Sequence, residues 1–501
     1  MSKFWKRSLC VIAVIVFCSC VCSGCSLDRT LKKQAKKLNT YTMDINIDQS
    51  DMTAECYLRY EYTNRTDSVV DSFVFHLYPR AFREGATVKP YTSVSEARCF
   101  PNGISYGDIK INEVRLDDKN HDYFLIGEDE DKLEVKLNSE LFYDDHAEIE
   151  IYFDLTIPNS THRFGYYQNN INLANFYPQL SVLENGEYDL TPYYANGDPF
   201  YSECANYVVS VTAPSEYDVF SSGDVIKTEN SDGKTKTTFS ALAVRDFAIV
   251  LGNNFEVASV ALKGQTINYV GYKGDNDLFS NVELAKKAFE YFSEQFRAYP
   301  YKTLNVIKTP FVHGGMEYPG LVMISDTCET SEEKHKVIVH EVAHEWWYAL
   351  VGVNETKDAW IDEGLAEFSS ALFFGATPEY NITYNQMVND AITSYTLYVD
   401  VISSLNRSVN TKMNLKVNEY VNEYEYTYMI YIKGLILFDD LMQVTGKNKL
   451  IGALSHIARD YAFSNIDTDI FTESIKKLTR KNTDSFFESY LNGNAIIGKL
   501  H

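Results

Sequence analysis

The sequence predicts an antiparallel β-sandwich domain over residues 40–255, followed by an α+β domain over residues 256–501. Three observations carry this. Through the first half, apolar residues alternate with polar ones in short, turn-bounded runs, which is the period of half-buried strands. Beyond about residue 255, longer segments take the helical period with short strands between them. The chain has 501 residues, 45% of them hydrophobic, which is more than one core usually holds and suits two or three domains.

The N-terminus reads as a leader. Lys3, Lys6 and Arg7 precede an apolar stretch from Ser8 to Ser19, and Ser23-Gly24-Cys25 follows. A charged start, a short apolar segment and small residues make a signal peptide, and the apolar part is short for a membrane-spanning helix. Small residues directly before a cysteine resemble the bacterial lipoprotein signal, with Cys22 where a leucine is usual. That resemblance implies removal of residues 1–24, a lipid on Cys25 and an extracytoplasmic, membrane-anchored protein. Residues 25–39 are then a polar, basic tether.

The formal net charge is -23 and no long basic run appears, which argues against nucleic acid as a partner. Acidic lipids would repel such a surface, so attachment is expected through the anchor and not through a basic patch. Cys56, Cys99, Cys204 and Cys328 are spaced too widely for a zinc ribbon. Export permits a disulfide such as Cys56–Cys99, and four free thiols are the plainer expectation.

Strands are predicted where Tyr41, Met43, Ile45 and Ile47 alternate with polar residues, again from Ile149 to Ile157, and at Tyr207, Val209 and Val211. The first predicted helix runs from Leu284 to Arg297 and stops before Pro300. Strands follow at Thr303–Ile307 and Gly320–Ile324. Thr330 and Glu333 form a capping box before an apolar helix expected to reach Gly352. Further helices are predicted from Ala359 to Phe374, Met429 to Val444 and Ile470 to Thr479.

Inside the capped helix stands His340-Glu341-Val342-Ala343-His344. Histidines four apart share one helical face and can reach one metal ion. Glu341 lies beside them, placed to touch a water without ligating. Glu363, 18 residues beyond His344 and on the next predicted helix, can return as a third ligand. Two histidines and one carboxylate leave a fourth position open, which is the catalytic pattern of zinc coordination.

The spacing of His340, His344 and Glu363, with the acid in Asp362-Glu363-Gly364, resembles the gluzincin aminopeptidases typified by aminopeptidase N. Gly314-Gly315-Met316-Glu317-Tyr318 is similar to that family's Gly-Ala-Met-Glu-Asn exopeptidase motif, with Gly for Ala and Tyr for Asn. Tyr431-Ile432-Lys433-Gly434 is similar to its Tyr-Glu-Lys-Gly segment. The resemblance covers about residues 40 to 501. It implies a thermolysin-like catalytic domain behind the sandwich, and the family's helical C-terminal domain is expected to be missing.

The resemblance also implies roles. His340, His344 and Glu363 bind one Zn²⁺, Glu341 is the general base, and the Tyr431 hydroxyl stabilises the oxyanion. Gly314, Gly315, Met316 and Glu317 bind substrate, with Glu317 pairing the free α-amine of a peptide. Gln179, in Tyr177-Pro178-Gln179-Leu180, is a further candidate for that amine, and Glu367 for a bond to a ligating histidine. The expected function is zinc-dependent removal of N-terminal residues from peptides. The alternatives are an endopeptidase with the same chemistry and a catalytically silent peptide-binding lipoprotein.

Overall fold

A computed structural model describes residues 29–405, 408–495 and 497. The leader at residues 1–24 and the lipid site at Cys25 lie outside the described residues. Among the described residues, no helix is long and apolar enough to cross a membrane.

The first half is built on an eight-stranded sheet. Its centre is the strands Ala205–Pro214, Thr40–Asp48, Thr53–Thr63 and His146–Thr156, side by side in that order. In the last three of these the buried residues alternate strictly, as the period-two pattern requires. One pair departs from the antiparallel expectation: Thr40–Asp48 runs parallel to Ala205–Pro214. Two four-stranded sheets and a two-stranded one complete the β-rich half, and one of the four-stranded sheets joins Phe164–Tyr167, Asn170–Leu173 and Ile249–Gly252. Cys56, Cys99, Cys204 and Cys328 are all free thiols.

A five-stranded mixed sheet begins at Phe255. Its inner strands Thr303–Thr309 and Leu321–Ser325 are parallel, and Gly315–Tyr318 closes the edge antiparallel to Leu321–Ser325. Against it pack the helices Leu278–Gln295 and Ser331–Ala343, and Glu355–Ala376 packs on the latter. Thr330 caps the second of these by accepting from the Glu333 amide, as the capping box predicts. That helix ends at Ala343, nine residues short of the expected Gly352. Its chain turns back at Tyr348, whose φ is 157°, and leads into the strand Val351–Val353. Trp346 and Trp347 lie buried in the core beneath the turn.

The helix Tyr384–Ser404, not predicted from the sequence, packs beside Lys433–Thr445. Before the latter, Tyr428–Ile432 forms one π-helical turn, a feature that helices often carry at functional positions.

Candidate active site

The two halves meet over a cleft of about 540 Å³ lined by Asp198, His313, Glu317, His340, Glu341, Glu363, Tyr426 and Tyr431, among others. Three helices and one edge strand deliver its chemistry. His340 and His344 project from the end of Ser331–Ala343, Glu363 from Glu355–Ala376, and Tyr431 from the π-helical turn.

His340 Nε2, His344 Nε2 and Glu363 Oε2 converge. The two imidazole nitrogens lie 3.0 Å apart, and they stand 3.1 and 3.4 Å from the carboxylate oxygen. Donors held about 2.1 Å from one tetrahedral ion would lie about 3.4 Å from each other, so the triangle fits zinc. The electrostatics fit too. Burial opposes charge on His340, but the Glu363 and Glu367 carboxylates beside it raise its pKa to about 10. Burial alone would raise Glu363, yet the same histidines hold it well below the carboxylate range. The corner is built for positive charge, and a divalent ion supplies it.

Outer contacts fix the ligands. His344 Nδ1 lies 2.8 Å from Asp362 Oδ1 and 2.9 Å from the Trp347 carbonyl oxygen. That assigns its proton to Nδ1 and turns the Nε2 lone pair toward the metal position. His340 Nδ1 lies 3.2 Å from Glu367 Oε1. The early stop of the histidine helix now has a reason: the turn brings the Trp347 carbonyl back onto His344.

Glu341 is buried against the edge strand, and burial pushes its carboxyl up to about 7. A side chain on Gly315 would meet Glu341 Oε1 at 2.3 Å. Here the motif's Ala-to-Gly departure leaves room for the base. Tyr318, the Asn-to-Tyr departure, is buried and donates to Asn175 Oδ1 at 2.8 Å. Gly314 and Gly315 line the cleft, while Met316 is buried behind it. The strand is pinned to the histidine helix by Glu345, which accepts from the Gly320 amide at 3.0 Å and the Tyr299 hydroxyl at 2.5 Å.

Tyr431 donates to Glu363 Oε1 at 2.5 Å. The two come together because their helices touch at glycines. A Cβ on Gly434 would stand 2.8 Å from the Gly364 Cα. Both glycines belong to the motifs singled out in the sequence, one directly after Glu363 and the other three residues after Tyr431.

Glu317 is 4% exposed and lines the cleft, and its Oε1 has no hydrogen-bond partner. Burial, then the charge of Asp198, push its carboxyl well above the usual range. One carboxylate oxygen from each of Asp198, Glu317 and Glu363 lies within 4.8 Å of the other two. Asp198 comes from the β-rich half; its segment Gly197-Asp198-Pro199-Phe200 resembles the family's N-terminal domain, but the sequence gives the acid no role in the site. Arg163 holds it from behind at 2.8 Å, with its guanidinium over the Phe200 ring. Its role shows only in the fold, which brings it to Glu317, 119 residues up the chain.

Gln179 is placed elsewhere. It is buried in the short strand Gln179–Leu180, paired to Val70–His76, and its amide faces the Arg245 carbonyl at 3.4 Å. It is not among the residues lining the cleft. Strand pairing turns it into the body of the β-rich half, so the expected contact with a substrate amine is withdrawn.

Fold and site together give a two-histidine, one-glutamate corner that fits a catalytic zinc ion. Residues 280–490 match the peptidase family M1 domain. Human glutamyl aminopeptidase is 30% identical over 182 residues, covering 33% of this chain and 19% of that protein. Aminopeptidase M1-B of Oryza sativa subsp. japonica is 26% identical over 283 residues, covering 53% of this chain and 31% of that protein. The chain thus spans less than a third of the length of these curated relatives. A solved M1 zinc metallopeptidase from Deinococcus radiodurans shares the fold, with a TM-score of 0.63 and 14% identity over 92% of this chain and 94% of that one. Over residues 280–490 the chain is thus similar to the peptidase family M1 domain, and its fold is that of a two-domain M1 metallopeptidase.

Proposed function

We propose that this protein is a zinc-dependent aminopeptidase that releases N-terminal residues from peptides at an extracytoplasmic membrane surface. One observation carries the exopeptidase assignment: Glu317, buried with an unpartnered oxygen, converges with Asp198 beside the metal corner. Three oxygens no more than 4.8 Å apart all lie within about 2.8 Å of a common point. That is the reach of a charge-assisted hydrogen bond, and an ammonium group has three N–H donors to offer. The seat fixes the substrate's first residue, and the metal corner then faces the first peptide bond.

Zinc held by His340, His344 and Glu363 would lower the pKa of a water and polarise the scissile carbonyl. Glu341 takes the proton from that water and returns it to the leaving amine. Burial raises its carboxyl above the usual range, which favours accepting that proton. The Tyr431 hydroxyl supplies a hydrogen bond to the developing oxyanion. The membrane location rests on the sequence ending in Cys25, and acyl groups on that residue are its direct mark.

The test is a panel of free and acetylated aminoacyl fluorogenic substrates, run with and without chelator. Cleavage should need a free amine, vanish on zinc removal and return with Zn²⁺. Equal cleavage of acetylated peptides would establish the endopeptidase alternative. Hydrolysis of neither, with zinc bound, would establish the silent binder.

A further inference from the structure

The tether expected at residues 25–39 is, from residue 29, folded onto the body. Residues 29–35 are helical. Leu31 and Ala35 are buried, and the Asn206 amide donates to the Ala35 carbonyl at 2.9 Å. Leu31 lines a cavity of about 960 Å³ bounded by Val225, Leu242, Leu262 and Phe289. The helix is therefore fixed in place by its apolar face, and its other face is solvent-exposed.

That outer face is cationic. Arg29, Lys32, Lys33, Lys36 and Lys37 are all exposed, and residues 29–37 contain no acid. Lys263 and Lys302 line the same cavity, as do the acids Asp224, Glu290 and Glu294. In a chain of net charge -23, five cations on one short ridge are a concentrated exception. An ordinary solvated helix face mixes charges of both signs, and this one does not.

We propose that the ridge at residues 29–37 is an electrostatic dock that lays the enzyme body against an anionic lipid surface. This rests on the inferred attachment at Cys25. Three residues separate Cys25 from Arg29, so the two are at most about 14 Å apart. A lipid on Cys25 thus leaves the ridge beside the headgroups. Screening over about 8 Å then decides the balance: the ridge feels the surface, and the acidic remainder of the body is largely screened from it. Each lysine held near an anionic bilayer strengthens attachment several-fold. Attachment by the anchor alone, as expected from net charge, overlooks this local reversal of sign.

The test uses the full chain and its K33E/K36E/K37E variant, with peptide hydrolysis in solution as the control for folding. Partitioning is measured into phosphatidylcholine vesicles and into vesicles with about 30 mol% phosphatidylglycerol. The N-terminal segment contributes in every arm, so the ridge is read as the difference between vesicle types. The wild type should prefer anionic vesicles tenfold or more, in a salt-sensitive manner, and the variant should lose that preference while partitioning into neutral vesicles unchanged. Equal partitioning of the wild type, or a preference that survives in the variant, would overturn the dock. Mass spectrometry of Cys25 is read separately, so absence of lipid there would overturn the anchor and not this measurement.

Discussion

His344 Nδ1 and Asp362 Oδ1 stand 2.8 Å apart, and both side chains are almost wholly buried. The carboxylate orients the imidazole and makes its other nitrogen a stronger ligand. Asp362→Asn keeps the shape and removes the charge. Zinc affinity should fall roughly 10–100-fold, measured by competition with a chromogenic chelator. Hydrolysis should recover as zinc is raised. Unchanged affinity would show that the Trp347 carbonyl alone orients the ring.

Glu341→Gln should retain zinc and lose hydrolysis, because an amide cannot accept the proton. General-base catalysis typically contributes roughly 10²–10⁴-fold, so turnover should fall into that range below wild type. Turnover and bound zinc are measured on the same preparation. A variant retaining more than a few per cent of wild-type turnover would remove Glu341 from the mechanism.

The metal corner was legible because one helix turn fixes the geometry of His340 and His344, and no tertiary knowledge is needed to see that they share a face. Glu363 needed only the next helix. Glu317 was visible through its motif. The segment around Asp198 was visible as a likeness, but the role of Asp198 and of Arg163 was not, because their nearness to Glu317 is made by the packing of two halves and not by any local pattern. Gln179 failed for the complementary reason, since a two-residue strand pairing turned it inward. The helix Tyr384–Ser404 was hidden by its many Thr, Tyr, Val and Ile residues, which are weak helix formers, and its packing overrides that propensity. The end of the histidine helix at Ala343 was hidden likewise, because the apolar run continues through two tryptophans that turn out to be core.

Gly434→Ala should reduce hydrolysis without removing zinc. The new methyl would press on the Gly364 Cα at 2.8 Å and push apart the helices that carry Tyr431 and Glu363. Overpacking of this kind costs roughly 1–3 kcal/mol of stability, readable by denaturant unfolding. Tyr431→Phe serves as the comparison, since it removes the hydroxyl and leaves the helices in place. Loss of one such donor costs roughly 10²–10³ in kcat. Wild-type kcat in Gly434→Ala would mean that the contact does not position Tyr431.

Glu317 and Asp198 should act on the substrate amine as one unit. Their oxygens share a triangle with Glu363 whose edges do not exceed 4.8 Å, so one ammonium touches all three. A hydrogen bond to a charged group is worth roughly 1.5–3 kcal/mol, so Glu317→Ala should lower kcat/KM on free-amine substrates about ten- to a hundredfold. Asp198→Asn should act in the same direction but less, because Arg163 already draws on that carboxylate at 2.8 Å. Bound zinc should stay constant in both, since neither is a ligand. Because the two acids serve one cation, the double variant should lose less than the product of the single losses, as coupled residues do. The decisive readout is the ratio of rates on free and acetylated peptides. It should collapse in Glu317→Ala and fall in Asp198→Asn. If both variants slow free and acetylated substrates alike, the carboxylates shape the cleft without reading the amine, and the register must be set elsewhere.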